Sequence, residues 1–161
     1  MAISFGQVEF SITKDGITPR SVSSEIDSLS AAQLYLKTMG WIEENSETLN
    51  LTIDHIEENS SVQMSFLKGN ATNLEKRYYN ANYKVKLSLK EGQYIFEPIE
   101  IRLKLNSKYD MGWKEFDLGN GELYFKKGKP IRKYKPYLEG ITKTLNEFYL
   151  MLHTHLKSDE N

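Results

Sequence analysis

The stretch Tyr79-Asn80-Ala81-Asn82-Tyr83-Lys84-Val85-Lys86-Leu87-Ser88-Leu89-Lys90-Glu91-Gly92-Gln93-Tyr94-Ile95-Phe96-Glu97-Pro98-Ile99-Glu100-Ile101-Arg102-Leu103-Lys104-Leu105 decides how this chain folds. From Tyr79 to Lys90 the apolar and polar residues alternate without a break. Tyr79, Ala81, Tyr83, Val85, Leu87 and Leu89 face one way; Asn80, Asn82, Lys84, Lys86, Ser88 and Lys90 face the other. A period of two is a strand with one wet face. Glu91-Gly92 is a two-residue turn in which Gly92 takes positive φ, so Leu89 pairs with Tyr94 and Leu87 with Phe96. Further along the second arm the apolar set moves to odd numbers: Ile99, Ile101, Leu103 and Leu105. One extra residue near Glu97-Pro98 repairs the phase, which predicts a β-bulge, and Pro98 suits such a place because it has no N–H for the ladder.

Outward from the hairpin, 161 residues make one domain, residues 1–161 with a core over about 7–157, long enough to bury a real core. With 39% hydrophobic and 12% aromatic residues, the chain has the apolar surface that folding requires. A formal net charge of -1 supplies no bulk pull toward nucleic acid or an anionic membrane. The absence of Cys excludes disulfides, thiolate nucleophiles and Cys-based metal centres. No apolar run approaches the ~20 residues of a membrane-spanning helix. Met1 to Gln7 carry neither a basic nor an apolar leader region. The expected location is therefore cytoplasmic if Met1 is the native start, and periplasmic or envelope if a leader was removed before Ala2.

Val8, Phe10 and Ile12 alternate with Gln7, Glu9 and Ser11, predicting a first strand, and Lys14-Asp15-Gly16 a turn. Residues 17–28, with Pro19 and several serines, read as loop. A helix follows: Ser30 is the N-cap, Gln33 completes a capping box, and Leu29 can staple to Leu34. Leu34, Met39 and either Tyr35 or Leu36 supply its buried stripe. Gly40 is expected to end it in the left-handed conformation, with Trp41 folding back on Leu36. Leu49, Leu51 and Ile53 predict a second strand, Glu57-Glu58-Asn59-Ser60 a turn, Val62, Met64 and Phe66 a third strand, and residues 68–72 a loop. In 106–120, Trp113, Phe116 and Leu118 fit neither period. Gly119-Asn120-Gly121 is a turn, and Leu123 and Phe125 suggest a short last strand. Pro136 opens a long amphipathic helix whose stripe is Leu138, Ile141, Leu145, Phe148, Leu152 and Leu156, with Tyr149 beside it. Gly140 weakens that helix by about 1 kcal/mol relative to Ala, and residues 158–161 fray.

This order predicts an α+β fold: a single curved antiparallel sheet, wet on one face, with a short helix after the first strand and a long C-terminal helix packed on the apolar face. The N-terminal strand, the helix Ser30–Trp41 ending in a Trp-Ile pair, and the Tyr83–Phe96 hairpin with its Lys-Glu-Gly-Gln turn resemble a bacterial domain family of unknown function. That resemblance covers roughly residues 7–157. It implies a TATA-binding-protein-like fold and export to the cell envelope, and brings no catalytic residues, metal or cofactor. A helix-grip fold, with an internal lipid cavity, has a similar element order and is the rival.

Candidate chemistry is sparse. His153 and His155 lie about 200° apart around a helix and cannot share a metal, and His55 sits at a strand end; all three read as surface or boundary residues. No nucleophile elbow, Walker loop or zinc-protease motif occurs, so no catalytic, metal or cofactor residue is assigned. The acidic pairs Glu43-Glu44 and Glu57-Glu58 fall in polar loops. The sequons at Asn50, Asn59 and Asn70 are matters of composition. The hairpin's wet face is basic through Lys84, Lys86, Lys90, Arg102 and Lys104, but only Tyr78 offers an apolar wedge and Glu100 opposes, which argues against nucleic acid. The strongest local bias is Lys126-Lys127-Gly128-Lys129-Pro130-Ile131-Arg132-Lys133-Tyr134-Lys135, six of ten residues cationic. Lys126, Lys127, Lys129, Arg132, Lys133 and Lys135 are the candidate contacts for an anionic partner.

Two functions suit this reading. One is a non-catalytic binding or interaction domain of the envelope, with an unknown protein or an anionic partner. The other is a small hydrophobic-ligand carrier with a cavity between sheet and long helix, lined by Tyr83, Phe96 and Phe148. Cavity volume separates them, since a ligand cavity needs about 300 Å3 or more.

Overall fold

The computed structural model describes residues 8–109 and 112–158. Its centre is the sheet formed by β4 (Leu51–Glu57), β5 (Ser61–Leu74), β6 (Arg77–Lys90) and β7 (Gln93–Leu105), after β1 (Ser11–Thr13), β2 (Gly16–Thr18) and β3 (Val22–Glu25). The strands run antiparallel in the order β3-β7-β6-β5-β4. β3 pairs with the first part of β7 and β8 (Lys114–Phe116) with the later part, along the same flank. Helix α1 spans Ala31–Asn45 and helix α2 Lys135–Lys157, both on one face of the sheet.

The hairpin register is the one its alternation predicts: Leu89 pairs with Tyr94 and Leu87 with Phe96. The phase change is present, with a physical detail the sequence did not reveal. Val85 pairs with Pro98 and Lys84 with Glu100, so Ile99 is the extra residue. Pro98 is buried and takes the core position, while Ile99 is extruded and 36% exposed. Ile101 and Leu103 return to the core.

Helix α1 keeps the capping box of Ser30 and Gln33. It does not stop at Gly40. Gly40 is exposed within the helix, and the buried stripe is Leu34, Thr38, Trp41 and Ile42, a three-and-four spacing that carries the helix on by one turn. Leu36 is exposed, so Trp41 packs on Phe148 with ring centroids 5.4 Å apart rather than folding back on Leu36. Glu43 and Glu44 therefore lie on a helix and not in a loop.

Two segments expected to be loops are strands. Residues 22–25 form β3, because the free flank of β7 supplies a partner. Residues 68–72 lie inside β5, where two extra residues between the pairs Lys68–Ala81 and Thr72–Tyr79 bend the strand. In the expected first strand, Phe10 and Ile12 are buried but Val8 is exposed; Gln7 lies outside the described residues, as do 159–161 of the expected frayed end. Asn146 of α2 clasps the backbone of Phe10, accepting from its N–H at 2.7 Å and donating to its carbonyl at 3.0 Å.

The core lies between sheet and helices. Phe148 stacks on Phe66 at 3.9 Å between ring centroids, Phe66 on Tyr83 at 4.8 Å, and Phe96 meets Phe148 at 6.2 Å. Tyr83, Phe96 and Phe148, the expected lining of a cavity, are buried, Tyr83 and Phe148 on either side of Phe66 and Phe96 beside Phe148. The Tyr83 hydroxyl is satisfied too, donating to the Ile141 carbonyl at 2.6 Å. Leu145, Leu152 and Leu156 complete the buried stripe of α2.

Gly140 faces the sheet. A Cβ there would lie 2.3 Å from Thr72 Oγ1 and 3.0 Å from its Cα. The missing side chain lets α2 settle onto β5, where Thr72 donates to the Tyr137 carbonyl at 2.6 Å. Its role is close approach, more than a weak link in the helix.

Candidate functional site

The cationic segment is built on a fastened base. Two glycines admit backbone where no side chain fits: a Cβ at Gly16 would lie 2.1 Å from the Leu118 carbonyl oxygen, and one at Gly121 2.1 Å from that of Thr13. Ile17 N–H donates to Leu118 at 2.9 Å and Gly121 N–H to Lys14 at 2.9 Å. The turn at 117–121 is thereby tied to the β1–β2 hairpin. This is why Leu118 fits no period: its place is set by a distant hairpin and not by a local repeat.

A single 3-10 turn at Glu122–Tyr124 follows, then a small hairpin of β9 (Phe125–Lys126) and β10 (Lys129–Pro130), and a second 3-10 turn at Arg132–Tyr134 leading into α2. Lys127 and Gly128 both have positive φ, the backbone of a two-residue hairpin turn. Leu123, expected on the last strand, is 72% exposed in the 3-10 turn. Beneath the hairpin lies a nest of tyrosines. Tyr124 stacks on Phe116 at 5.5 Å and meets Tyr134 at 5.0 Å and Tyr137 at 6.0 Å. Burial, then the neighbouring phenols, hold Tyr124 and Tyr137 above the ordinary tyrosine range, so both stay neutral donors.

Lys126, Lys127, Lys129, Arg132, Lys133 and Lys135 are all exposed on this platform. Lys133 Nζ lies 3.5 Å from Glu75 and over the Tyr134 ring at 5.0 Å. Among the described residues the other five have no carboxylate within ion-pair distance. The arrangement is a fixed point of attachment carrying hydrated charges on short elements, suited to Coulombic contact with an anion.

The remaining candidates separate. On the wet face Lys84 lies opposite Glu100 and Lys86 opposite Glu97 in the strand register, and Arg102 Nε lies 3.1 Å from Glu100. That face is mixed in charge, where the sequence suggested a basic one. Lys104 is half-buried and Lys90 exposed at the strand end. His55 is exposed on the edge strand β4, 3.6 Å from Glu57. Among the described residues no group of three potential metal ligands comes together.

His153 corrects the boundary reading. It is 8% exposed, and its Nδ1 is hydrogen-bonded to the Tyr94 hydroxyl. Its ring lies on Tyr149, whose hydroxyl reaches Ser24 at 3.1 Å. Burial, then Lys157, lowers its pKa from the usual value. This cluster joins α2 to β3 and β7. The helical stripe pointed to Tyr149, but nothing local in the sequence marks the partners, which lie 59 and 125 residues away.

No family model matches the sequence, and no curated protein matches it. Two solved structures do resemble the fold. A DUF4468 family protein from Bacteroides ovatus superposes with a TM-score of 0.57 at 15% identity, covering 84% of this chain and 81% of the other. A TBP-like protein from Parabacteroides distasonis gives 0.63 at 13% identity, covering 87% and 92%. At such identities the likeness concerns the fold alone, and it is the TATA-binding-protein-like fold and not the helix-grip rival.

Proposed function

We propose that the chain is a non-catalytic interaction domain of the bacterial cell envelope, and that the basic hairpin at 126–135 is where it receives an anionic partner. One observation carries this reading: six exposed cations stand together on the hairpin and the turn that leads into α2, above a half-buried tyrosine nest, and among the described residues only Lys133 has a carboxylate within ion-pair distance. A cationic patch on a near-neutral chain attracts locally and at short range. The polar groups that the fold brings together elsewhere serve as fasteners between elements: Tyr83 to Ile141, Thr72 to Tyr137, Tyr94 to His153. The carrier reading has no comparable observation behind it: the hollow between β5 and α2 that Phe66 and Phe148 line has a volume of about 260 Å3. Envelope residence rests only on what the sequence's resemblance to a bacterial domain family implies.

The test is retention on a sulfated or anionic-lipid surface at about 50 mM salt, where charge contacts are strong. Wild type should be retained and released as salt rises. The combined replacement of Lys126, Lys129, Arg132 and Lys133 by Ser should abolish retention. Wild type passing through unretained would refute the hairpin's role. Fractionation of the source cells addresses location separately, and recovery in the cytoplasm alone would refute the envelope.

A further inference from the structure

We propose that a second site, an open hollow at the far end of the central hairpin on the face away from the helices, binds an acidic saccharide. The hollow has a volume of about 700 Å3 and is lined by Asn70, Lys76, Arg77, Tyr78, Asn106 and Tyr109 among others. Tyr79 turns inward to meet Tyr137 at 5.9 Å, so Tyr78, one residue earlier in the strand, faces outward.

Three features of this hollow point to one ligand chemistry. First, Tyr78 and Tyr109 are 54% and 81% exposed, large rings offered to solvent where burial is the norm for such area. Second, a chain of amides is held ready. The Asn80 side chain accepts from the Asn70 N–H at 2.9 Å, and Asn106 donates its amide to Asn70 Oδ1 at 2.8 Å. Among the described residues the Asn70 side-chain amide donors and the Asn106 side-chain carbonyl take no other hydrogen bond. Free donors and acceptors together suit sugar hydroxyls, each of which gives and takes a hydrogen bond. Third, Lys76 and Arg77 stand at the rim and Lys108 Nζ sits over the Tyr109 ring at 5.1 Å, supplying positive charge.

The rim is also strained. Glu75 and Lys76 both have positive φ, at 50° and 69°, in a two-residue turn whose geometry favours Asn-Gly. Asn70 too is left-handed, at 50°.

A ring with an apolar face, adjacent hydroxyls and a carboxylate is an acidic sugar, and the hollow has the size of a small-ligand site. A nucleic-acid strand is the weaker fit, since it needs a continuous basic lane with successive stacking platforms. Beyond the hollow the same face carries Glu97, Glu100 and Glu115, which interrupt such a lane.

The experiment is a titration of the intact chain with a uronic-acid tetrasaccharide, followed by backbone amide NMR. A neutral tetrasaccharide and an oligothymidylate serve as second and third probes. The uronate should produce saturable shifts at Asn70 and Asn106, and the neutral sugar should bind more weakly. Tyr109→Ala should weaken the uronate about tenfold, the scale of one lost stacking contact, while Tyr109→Phe should retain it. Replacing Lys126, Lys129 and Arg132 by Ser, which leaves the pair between Lys133 and Glu75 beside the rim intact, should leave it unchanged, which separates this site from the one proposed above. No saturable shift with the uronate, an unchanged affinity in Tyr109→Ala, or tighter binding of oligothymidylate at these residues would each overturn the proposal.

Discussion

The two ends of helix α2 are docked by different physics. Toward its C-terminus the helix is sealed into the core. Phe148 lies flat on Phe66, Leu152 and Leu156 are fully buried, and His153 is shut in with Tyr94 and Tyr149. Lys37 of α1 covers the terminal carbonyls, donating to that of Leu156 at 3.4 Å and to that of Ser158. Toward its N-terminus the helix rests on a glycine and a ring of tyrosines, and the segment before it carries six exposed cations. The first end commits its inner face to the core and contributes stability, while Leu150 and Met151 on its outer face stay exposed. The second keeps its aromatic rings half in the core and half at the surface, so cations can be mounted there without disturbing the fold.

The largest effect should come from breaking the sealed end. Phe148→Ala removes the ring at the centre of the stack and should destabilise the chain by about 3–5 kcal/mol, read from a shift in the urea midpoint. An unchanged midpoint would mean that α2 is not docked through this stack.

Gly140→Ala sharpens the contrast at the other end. In a free helix the change stabilises by about 1 kcal/mol. Here the new Cβ meets Thr72 at 2.3–3.0 Å, and overpacking of this kind costs about 1–3 kcal/mol, so stability should fall. A rise would show that the helix and β5 are not in close contact.

The sealed end should also respond to pH, through His153. Its folded pKa lies below the ordinary value, because burial and Lys157 disfavour the imidazolium. The unfolded chain takes up that proton near about pH 6.5 while the native chain resists it, so the unfolded state binds more protons there. Stability from this residue is therefore full above that pH and is lost as pH falls through it toward the lower folded pKa. Unfolding midpoints at about pH 8 and about pH 5 should differ more for wild type than for His153→Gln. Equal differences would show that His153 does not carry the effect.

The smallest effect belongs to the exposed end. The quadruple Ser replacement in the basic hairpin should change stability by no more than about 0.5 kcal/mol, since exposed charges away from buried features contribute little. A large loss would mean that those cations hold the fold and are not free for a partner.

The central hairpin was fully legible because its information is short-range. A period of two, a Glu-Gly turn and a phase change lie within 27 residues, and each neighbour in sequence constrains the next. The bulge was legible as a shift of phase. Which residue it extruded was decided by the ladder, where Pro98 could take the core place without an N–H and Ile99 could not be accommodated beside it. The capping box of α1 was likewise local, and it stands. The end of that helix was not local, since Trp41 and Ile42 find their burial against α2 and the sheet, and that burial outweighs the tendency of Gly40 to stop a helix. The basic segment was evident as composition; the tyrosine nest beneath it was not, because Phe116, Tyr124 and Tyr137 belong to three separate elements.

From residue order alone come the strand faces, the hairpin register, the amphipathic stripe of α2 and the α+β class, all of which rest on repeats within a few residues. The folded chain alone settles that β3 and β8 share one flank of β7, that Gly140 is a contact and not a flaw, that His153 is a core residue, and that Phe148 stacks on Phe66. Each of these turns on groups brought together from far apart in sequence, such as Phe10 and Asn146, separated by 136 residues. Local periodicity says which way a side chain points; only packing says what it meets.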